Sequence, residues 1–244
     1  MKQYSFDVHM HTHYSYDSLL TPRHLVRTSD KKGHSAIIVT DHNTTKGGFA
    51  SIKAAKNSNL ELSVFVGAEI KTEHGDVIGL FLNDEIKSRC YHDVIDEIHA
   101  QDGIIYLPHP FARHTRVKDM DLSRIQVVEA YNSRSNIRQN RRALSLGIKL
   151  GLPVLGGSDA HIRYEIGCVR NLTDVDISQE ETFRKVVLHN MSSIRVHHNI
   201  QPLIPQLKIN EFMSWIRSGQ SERAINRILL FMLRQTRNVT RVST

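Results

Sequence analysis

Cysteine is scarce in this chain. Only two occur in 244 residues, Cys90 and Cys168, far apart in sequence. That excludes a disulfide scaffold and any cysteine-rich zinc module, and it fits a reducing, cytoplasmic compartment. No apolar run approaches the ~18 residues that a membrane-spanning helix needs, so no span is expected. The opening MKQYSFDVHMH reaches charge and histidine at once, where a secretory signal would place an apolar stretch. Internal repeats, Gly/Ser linkers and low-complexity tracts are also missing. A disordered chain is excluded too: 40% hydrophobic and 23% charged residues are close to globular averages. This length spans one to two domains and buries a large core without staples.

Histidine, in contrast, is abundant, with fifteen residues, several beside Asp or Glu. Basic charge is present but unevenly placed. The formal net charge is +7, of which residues 195–244 carry +6 through eight Lys/Arg against two Asp/Glu. The chain therefore divides into a nearly neutral body, 1–194, and a basic extension, 195–244. Such an extension suggests an acidic partner and says nothing about the chemistry of the body.

Seven short β-like segments punctuate the body: Ser5–Val8, Ser35–Thr40, Ser63–Gly67, Val77–Leu82, Ile104–Leu107, Ile125–Val128 and Leu152–Leu155. Most are apolar on both faces, as a buried parallel sheet requires. Helical stretches with readable ends lie between several of them. Thr21-Pro22 gives a cap with Pro at the first helical position, and Gly33 stops that helix. Val94, Ile95, Ile98 and His99 recur at helical spacing before Gly103. A basic helix over 136–150 ends at Gly151. Ser178 with Glu181 reads as a capping box opening a helix over 179–190. This alternation predicts an α/β fold with a mainly parallel sheet. About seven strands, rather than five or six, favour a closed or distorted barrel over an open sheet.

The chemistry follows the strands. The first runs into Asp7, His9 and His11, the second into Asp41 and His42. The third ends at Glu69, the fifth at His109, the sixth at Asn132, and the last at Asp159 and His161. In a (β/α) barrel that rim is where active sites are built. Imidazoles and carboxylates without thiols suit a hydrolytic Zn, Mn or Fe site. His9-Met-His11 puts two imidazoles on one face of a strand, and Asp159-Ala-His161 repeats the spacing. A carboxylate such as Glu69, left unpaired at a barrel mouth, would cost several kcal/mol.

At this point the chain resembles a known family. Asp7-Val-His-Met-His-Thr-His-Tyr-Ser-Tyr-Asp17, Thr40-Asp-His42, Gly67-Ala-Glu69, Leu107-Pro-His-Pro110 and Gly157-Ser-Asp-Ala-His161 are similar, in order over residues 4–195, to the motifs of the PHP (polymerase and histidinol phosphatase) domain. The resemblance implies a distorted (β/α)7 barrel, here with a short helical C-terminal extension. It also implies a centre of two or three divalent ions (Zn, Mn or Fe) that hydrolyses phosphate esters. His9, His11 and Asp159 would hold one ion, Glu69 would bridge it to a second that His109 also holds, and Asp17, His42 and His161 would form a further site. In many members a His stands near the position of Asp17, so a carboxylate favours Mn or Fe over Zn. Members with the three-metal pattern carry a His on the strand after the Glu. Here Asp76 occupies roughly that place, so either Asp76 substitutes as a ligand or the second ion is weakly held. His74 is close but out of register.

His13, His24, His34, His92, His99, His189, His197 and His198 read as surface or packing residues. Arg113, His114 and Arg116 begin at the mouth beside His109, where guanidiniums suit phosphate contacts, and they read equally as a solvated loop. Asn132 and Arg134 are second-rank candidates for substrate contact. The expected reaction is attack of a metal-bound hydroxide on a small phosphorylated metabolite or nucleotide, with Glu69 bridging and Asp41 or His161 relaying protons. No Ser or Cys nucleophile is needed, and Cys168 has no obvious activating pair.

In the extension, Ile225, Ile228, Leu229, Met232 and Leu233 form an apolar stripe, with Arg223, Arg227 and Arg234 off it. The reading is docking on the barrel or on a second subunit, giving a homo-oligomer. Nucleic acid, an anionic membrane surface or an acidic protein are the other partners it suits. Two further functional classes stay open, an amidohydrolase-type metal hydrolase and a regulatory or proofreading module of a larger nucleic-acid machine.

Overall fold

The computed structural model describes residues 2–112 and 115–196. Arg113, His114 and the expected C-terminal helix lie outside the described residues. All seven expected strands form: β1 (Tyr4–Asp7), β2 (Ala36–Val39), β3 (Ser63–Thr72), β4 (Gly75–Leu80), β5 (Ile104–Leu107), β6 (Val127–Asn132) and β7 (Val154–Gly157). Two more follow, β8 (Val169–Thr173) and β9 (Ser193–Val196). Hydrogen bonding runs in the order β7-β6-β5-β4-β3-β2-β1-β8-β9. The fold is a mixed α/β barrel whose sheet is nearly closed.

Four of the eight neighbouring pairs are parallel and four antiparallel, so the sheet is mixed rather than mainly parallel, and β4 pairs antiparallel with both β3 and β5. The cause is local. Thr72 pairs with Gly75, so only Glu73 and His74 connect the two strands, and so short a turn permits only a hairpin. Closure brings β7 against β1 and β8. Beyond β1, Met10 bridges Ala160 in parallel, and the Asp159 N–H donates to the His9 carbonyl at 2.8 Å. Nearer the other end of the barrel, β8 inserts antiparallel against β1. Its Asn171 amide accepts from the Gly156 N–H and donates to the Gly156 carbonyl, both at 2.8 Å. One side chain thus supplies the backbone pairing that the edge of β7 lacks.

Among the described residues, five α-helices cover the sheet. Helix α1 (Pro22–Lys31) is capped by Thr21, whose hydroxyl accepts from the His24 N–H. Helix α3 (Tyr91–Ala100) buries Tyr91, Val94, Ile95 and Ile98, while His99 faces out. Helix α4 (Ile137–Leu150) opens with a full Asn136–Gln139 capping box and closes on left-handed Gly151. Helix α5 (Glu180–Leu188) starts without the expected Ser178 cap. The Ser178 N–H is taken by Asp176 Oδ1, and Gln179 becomes the residue before the first turn. Helix α2 (Lys46–Lys56) has no readable signature, since Gly47-Gly48 looks like a break. A Cβ on Gly47 would fall 1.7 Å from Asp41 Oδ2, so glycine here permits close approach to the site. Inside the barrel, Phe6, Ile38, Ile78, Leu80, Tyr106, Val127 and Leu155 form the core, which Phe183 of α5 joins through an edge contact with Phe6 at 4.9 Å.

Candidate metal centre

The strand-end residues converge. His9 and His11 continue β1, Glu69 stands within β3, His109 follows β5, and Asp159 and His161 follow β7. Their side chains are essentially buried. Glu69 is the hub. Its Oε2 lies 3.4 Å from His9 Nε2, 3.3 Å from His11 Nε2 and 3.2 Å from His42 Nδ1, and its Oε1 lies 2.9 Å from His109 Nε2. Asp159 Oδ1 stands 3.3 Å from His11 Nε2 and 3.6 Å from His9 Nε2. Asp17 Oδ2 reaches His161 Nε2 at 3.1 Å and His42 Nε2 at 3.4 Å.

Three groups have ligand atoms close enough to share an ion: His9 with His11 and Asp159, His9 with Glu69 and His109, and His11 with His42 and His161. Several candidate donor atoms make no hydrogen bond despite burial, namely Asp17 Oδ1, His42 Nε2 and His161 Nε2. Buried polar atoms left in that state cost about 1–3 kcal/mol each. Imidazole nitrogens and carboxylate oxygens aimed at common points are what divalent ions require. The donor set therefore fits divalent metals.

The backbone is shaped to match. His109 and Asp159 have φ of +28° and +52°, backbone that side chains disfavour and that clusters at functional sites. Charge is balanced internally. Burial opposes the Glu69 charge, yet the surrounding imidazoles, His42 and His9 foremost, hold its carboxyl well below the usual range. Burial likewise opposes a charged His11, but Asp159 and Glu69 outweigh it and hold the imidazole up at about 9. Ion binding must then displace that proton, which couples affinity to pH. His161 goes the other way. Burial, aided by Arg134 and His11, pushes it down to about 3, so the ring is neutral and able to ligate.

Asp41 has a different place from the one expected. Its carboxylate accepts from the Thr12 N–H (2.7 Å), Thr12 Oγ1 (2.6 Å), the Ser15 N–H (3.1 Å) and Ser15 Oγ (2.6 Å). Those bonds fold the 12–18 loop that delivers Asp17, so Asp41 builds the site. Asn132, expected to touch substrate, sits behind the centre and donates to Glu129 Oε2 at 2.9 Å and Asp159 Oδ2 at 3.3 Å. Arg134, expected to touch substrate as well, is buried in a forked pair with Glu165 at 2.9–3.3 Å. Glu165 in turn accepts from the His161 N–H at 2.8 Å.

Asp76 stands outside the three donor groups. It lines a cavity of about 600 Å3 beside His42, with Tyr16, Asn43, Lys71, Glu73, Thr115 and Arg116. Arg116 lines that same cavity. His74 packs near Tyr91 and Glu73, away from the donors.

Sequence reasoning missed Glu129. Fully buried on β6, it accepts from His9 Nδ1 at 2.8 Å and from the His109 N–H at 2.7 Å. The available signal was a carboxylate set directly inside the apolar run Val127-Val128-Glu129-Ala130. Gly157 makes room for it, since a Cβ there would fall 2.0 Å from Glu129 Oε1.

The fold is thus a nearly closed α/β barrel that carries buried donor groups able to hold divalent ions at its C-terminal strand ends. A family model described as PHP-associated matches residues 138–190. The uncharacterized protein MJ1587 of Methanocaldococcus jannaschii is 37% identical over 142 residues, covering 52% of this chain and 82% of that protein. A second protein of that organism, MJ0417, is 33% identical over 173 residues, covering 66% and 67%. The fold is similar to a two-domain protein from Bacteroides vulgatus containing a predicted PHP-like metal-dependent phosphoesterase. There the TM-score is 0.67 at 18% identity, covering 80% of this chain and 65% of that one. It is also similar to the lesion-specific endonuclease PfuEndoQ of Pyrococcus furiosus, with a TM-score of 0.58 at 15% identity, covering 80% and 58%. This chain thus spans less than two thirds of either structure. The chain belongs to the PHP family. Among the described residues, no helix is long and apolar enough to cross a membrane.

Proposed function

We propose that this protein is a metal-dependent phosphoesterase acting on a small phosphorylated metabolite or a nucleotide, with two or three ions of Zn, Mn or Fe type. The observation that carries the reading is Glu69, a fully buried carboxylate within 3.4 Å of four imidazoles. His9, His11 and Asp159 would hold one ion, His109 with Glu69 a second, and Asp17, His42 and His161 a third. Ions bound there supply Lewis acidity toward phosphoryl oxygens and lower the pKa of water.

The chain's own residues do the rest. Glu129 accepts from His9 Nδ1, so Nε2 faces the centre as the donor atom, and an imidazole oriented this way binds more tightly. Lys71 and Arg116 line the adjoining cavity and suit the negative phosphoryl group. Asp76 lies in that same cavity, where it would meet the substrate side of the site rather than complete a donor group. His161, neutral and tied through its main chain to Glu165, acts as a ligand rather than a proton carrier. Asp41 positions Asp17. The two cysteines and the barrel chemistry fit a cytoplasmic enzyme.

The test is metal analysis of the purified protein, followed by assay of phosphomonoesters, phosphodiesters, nucleotides and amide substrates with and without chelator. Two or more ions per chain, with phosphoester turnover that chelation abolishes and ions restore, is the expected result. Turnover of amides alone would overturn the phosphoester assignment and favour the amidohydrolase reading.

A further inference from the structure

We infer that the outer face of α4 is a binding track for the phosphate backbone of a single-stranded polynucleotide whose phosphoester enters the metal centre. This rests on the phosphoesterase reading and adds a substrate class to it. Helix α4 contains no acidic residue. Arg138, Arg142, Ser145 and Lys149 follow one another at i, i+4, i+7 and i+11, on one exposed face, with Arg141 beside them. Among the described residues, none of these four cations is ion-paired with a carboxylate. Successive groups stand about one helical turn, roughly 5.4 Å, apart, which is the order of the separation of phosphates along an extended strand.

The track starts at the centre. Phe111 follows His109 by two residues, which limits their separation to about 7 Å. Gln139 of the first turn of α4 donates to the Phe111 carbonyl at 3.0 Å. Together with the cationic side chains, Phe111 lines a groove of about 410 Å3. The Arg142 guanidinium stands 4.1 Å from the Phe111 ring centroid. Aromatic rings flanked by cations are how sequence-tolerant proteins hold unpaired bases and their phosphates. Four cations without a carboxylate partner among the described residues favour an anionic occupant.

The experiment uses the full chain and a fluorescent single-stranded 12-mer, with binding read by anisotropy across a salt series. Four phosphate contacts predict that log Kd rises with log salt at a slope of about 3. In Arg138→Glu/Arg142→Glu the slope is expected to fall to about half and affinity to drop at least about tenfold. Because Arg142 contacts Phe111, Arg138→Glu/Lys149→Glu is the second variant, with the same expectation. Turnover of bis-p-nitrophenyl phosphate, too small to reach the helix, stays at the wild-type level in both. Wild-type affinity and slope in both variants would overturn the track. So would equal binding of a poly-glutamate peptide, which would make the face a site for acidic protein. Loss of small-ester turnover in the wild type, with oligonucleotide binding still sensitive to both variants, would remove the phosphoesterase reading and leave the track standing.

Discussion

Glu129 Oε1 accepts a 2.8 Å hydrogen bond from His9 Nδ1, and both side chains are fully buried. The bond fixes which nitrogen of His9 faces the donor groups. Its partner oxygen holds the main chain of His109, so a single carboxylate orients a residue from each of two strand ends. Glu129→Gln retains the shape and loses the charge. Metal affinity, read by titration against a chelating dye, is expected to fall about 10–100-fold, with far-UV circular dichroism unchanged. Wild-type affinity would show that His9 needs no such partner.

Glu69→Gln tests the hub. The amide keeps the volume of the side chain but leaves the surrounding imidazoles without the charge that opposes theirs. The variant is expected to fold, to retain fewer ions per chain and to lose phosphoester turnover by orders of magnitude. Elemental analysis beside a turnover assay checks both. A variant with full metal content and wild-type turnover would rule out Glu69 as the bridge.

The Arg134–Glu165 pair lies 4% exposed on each side and braces the main chain of His161. Arg134→Ala strands a buried carboxylate, so a loss of about 3–5 kcal/mol is expected in urea denaturation. Arg134→Met/Glu165→Gln removes both charges and retains an acceptor for the His161 N–H. It is expected to recover much of that stability. If the single variant were as stable as the wild type, the guanidinium would have no bracing role.

The two cysteines give a pH-dependent test that is independent of metals. Cys168 is buried, and that burial pushes its thiol up to about 12, against a hydrogen bond with Ser133. A raised pKa keeps the thiol neutral at lower pH, and the thiolate is the reactive form. Cys90 is exposed. At pH 8 a disulfide reagent is expected to release one equivalent promptly and the second only after unfolding in guanidinium. Two equivalents released promptly from the native protein would contradict the burial of Cys168.

Much of the architecture was legible because apolar runs and helix stops are local. Seven strands and the ends of α1 and α4 follow from runs such as Ile104–Leu107, from Thr21-Pro22 and from Gly151. Most of the candidate donors were legible because they follow or end such a run, whereas Asp17 comes from the loop over 12–18. Helix α2 was not, since Gly47-Gly48 reads as a break until the nearness of Asp41 is known. Strand β8 was not either, because Asn171 looks like a loop residue until its amide is seen bonded to Gly156.

What the sequence alone determined, then, is the barrel class and which imidazoles and carboxylates stand after the strands, both carried by short-range patterns that survive without coordinates. Only the tertiary structure decided which polar residues face the centre and which stand behind it. Asp41, Asn132 and Arg134 have the chemistry of active-site groups, and as a list of residue types they cannot be told from His9 or Glu69. Their roles are set by contacts across long sequence separations: Asp41 to Thr12 and Ser15, Asn132 to Asp159, Arg134 to Glu165. The physical reason is that a buried polar group must find a partner. That partner is chosen by the closure of the barrel, which brings β1 beside the end of β7, and not by the neighbours in the chain.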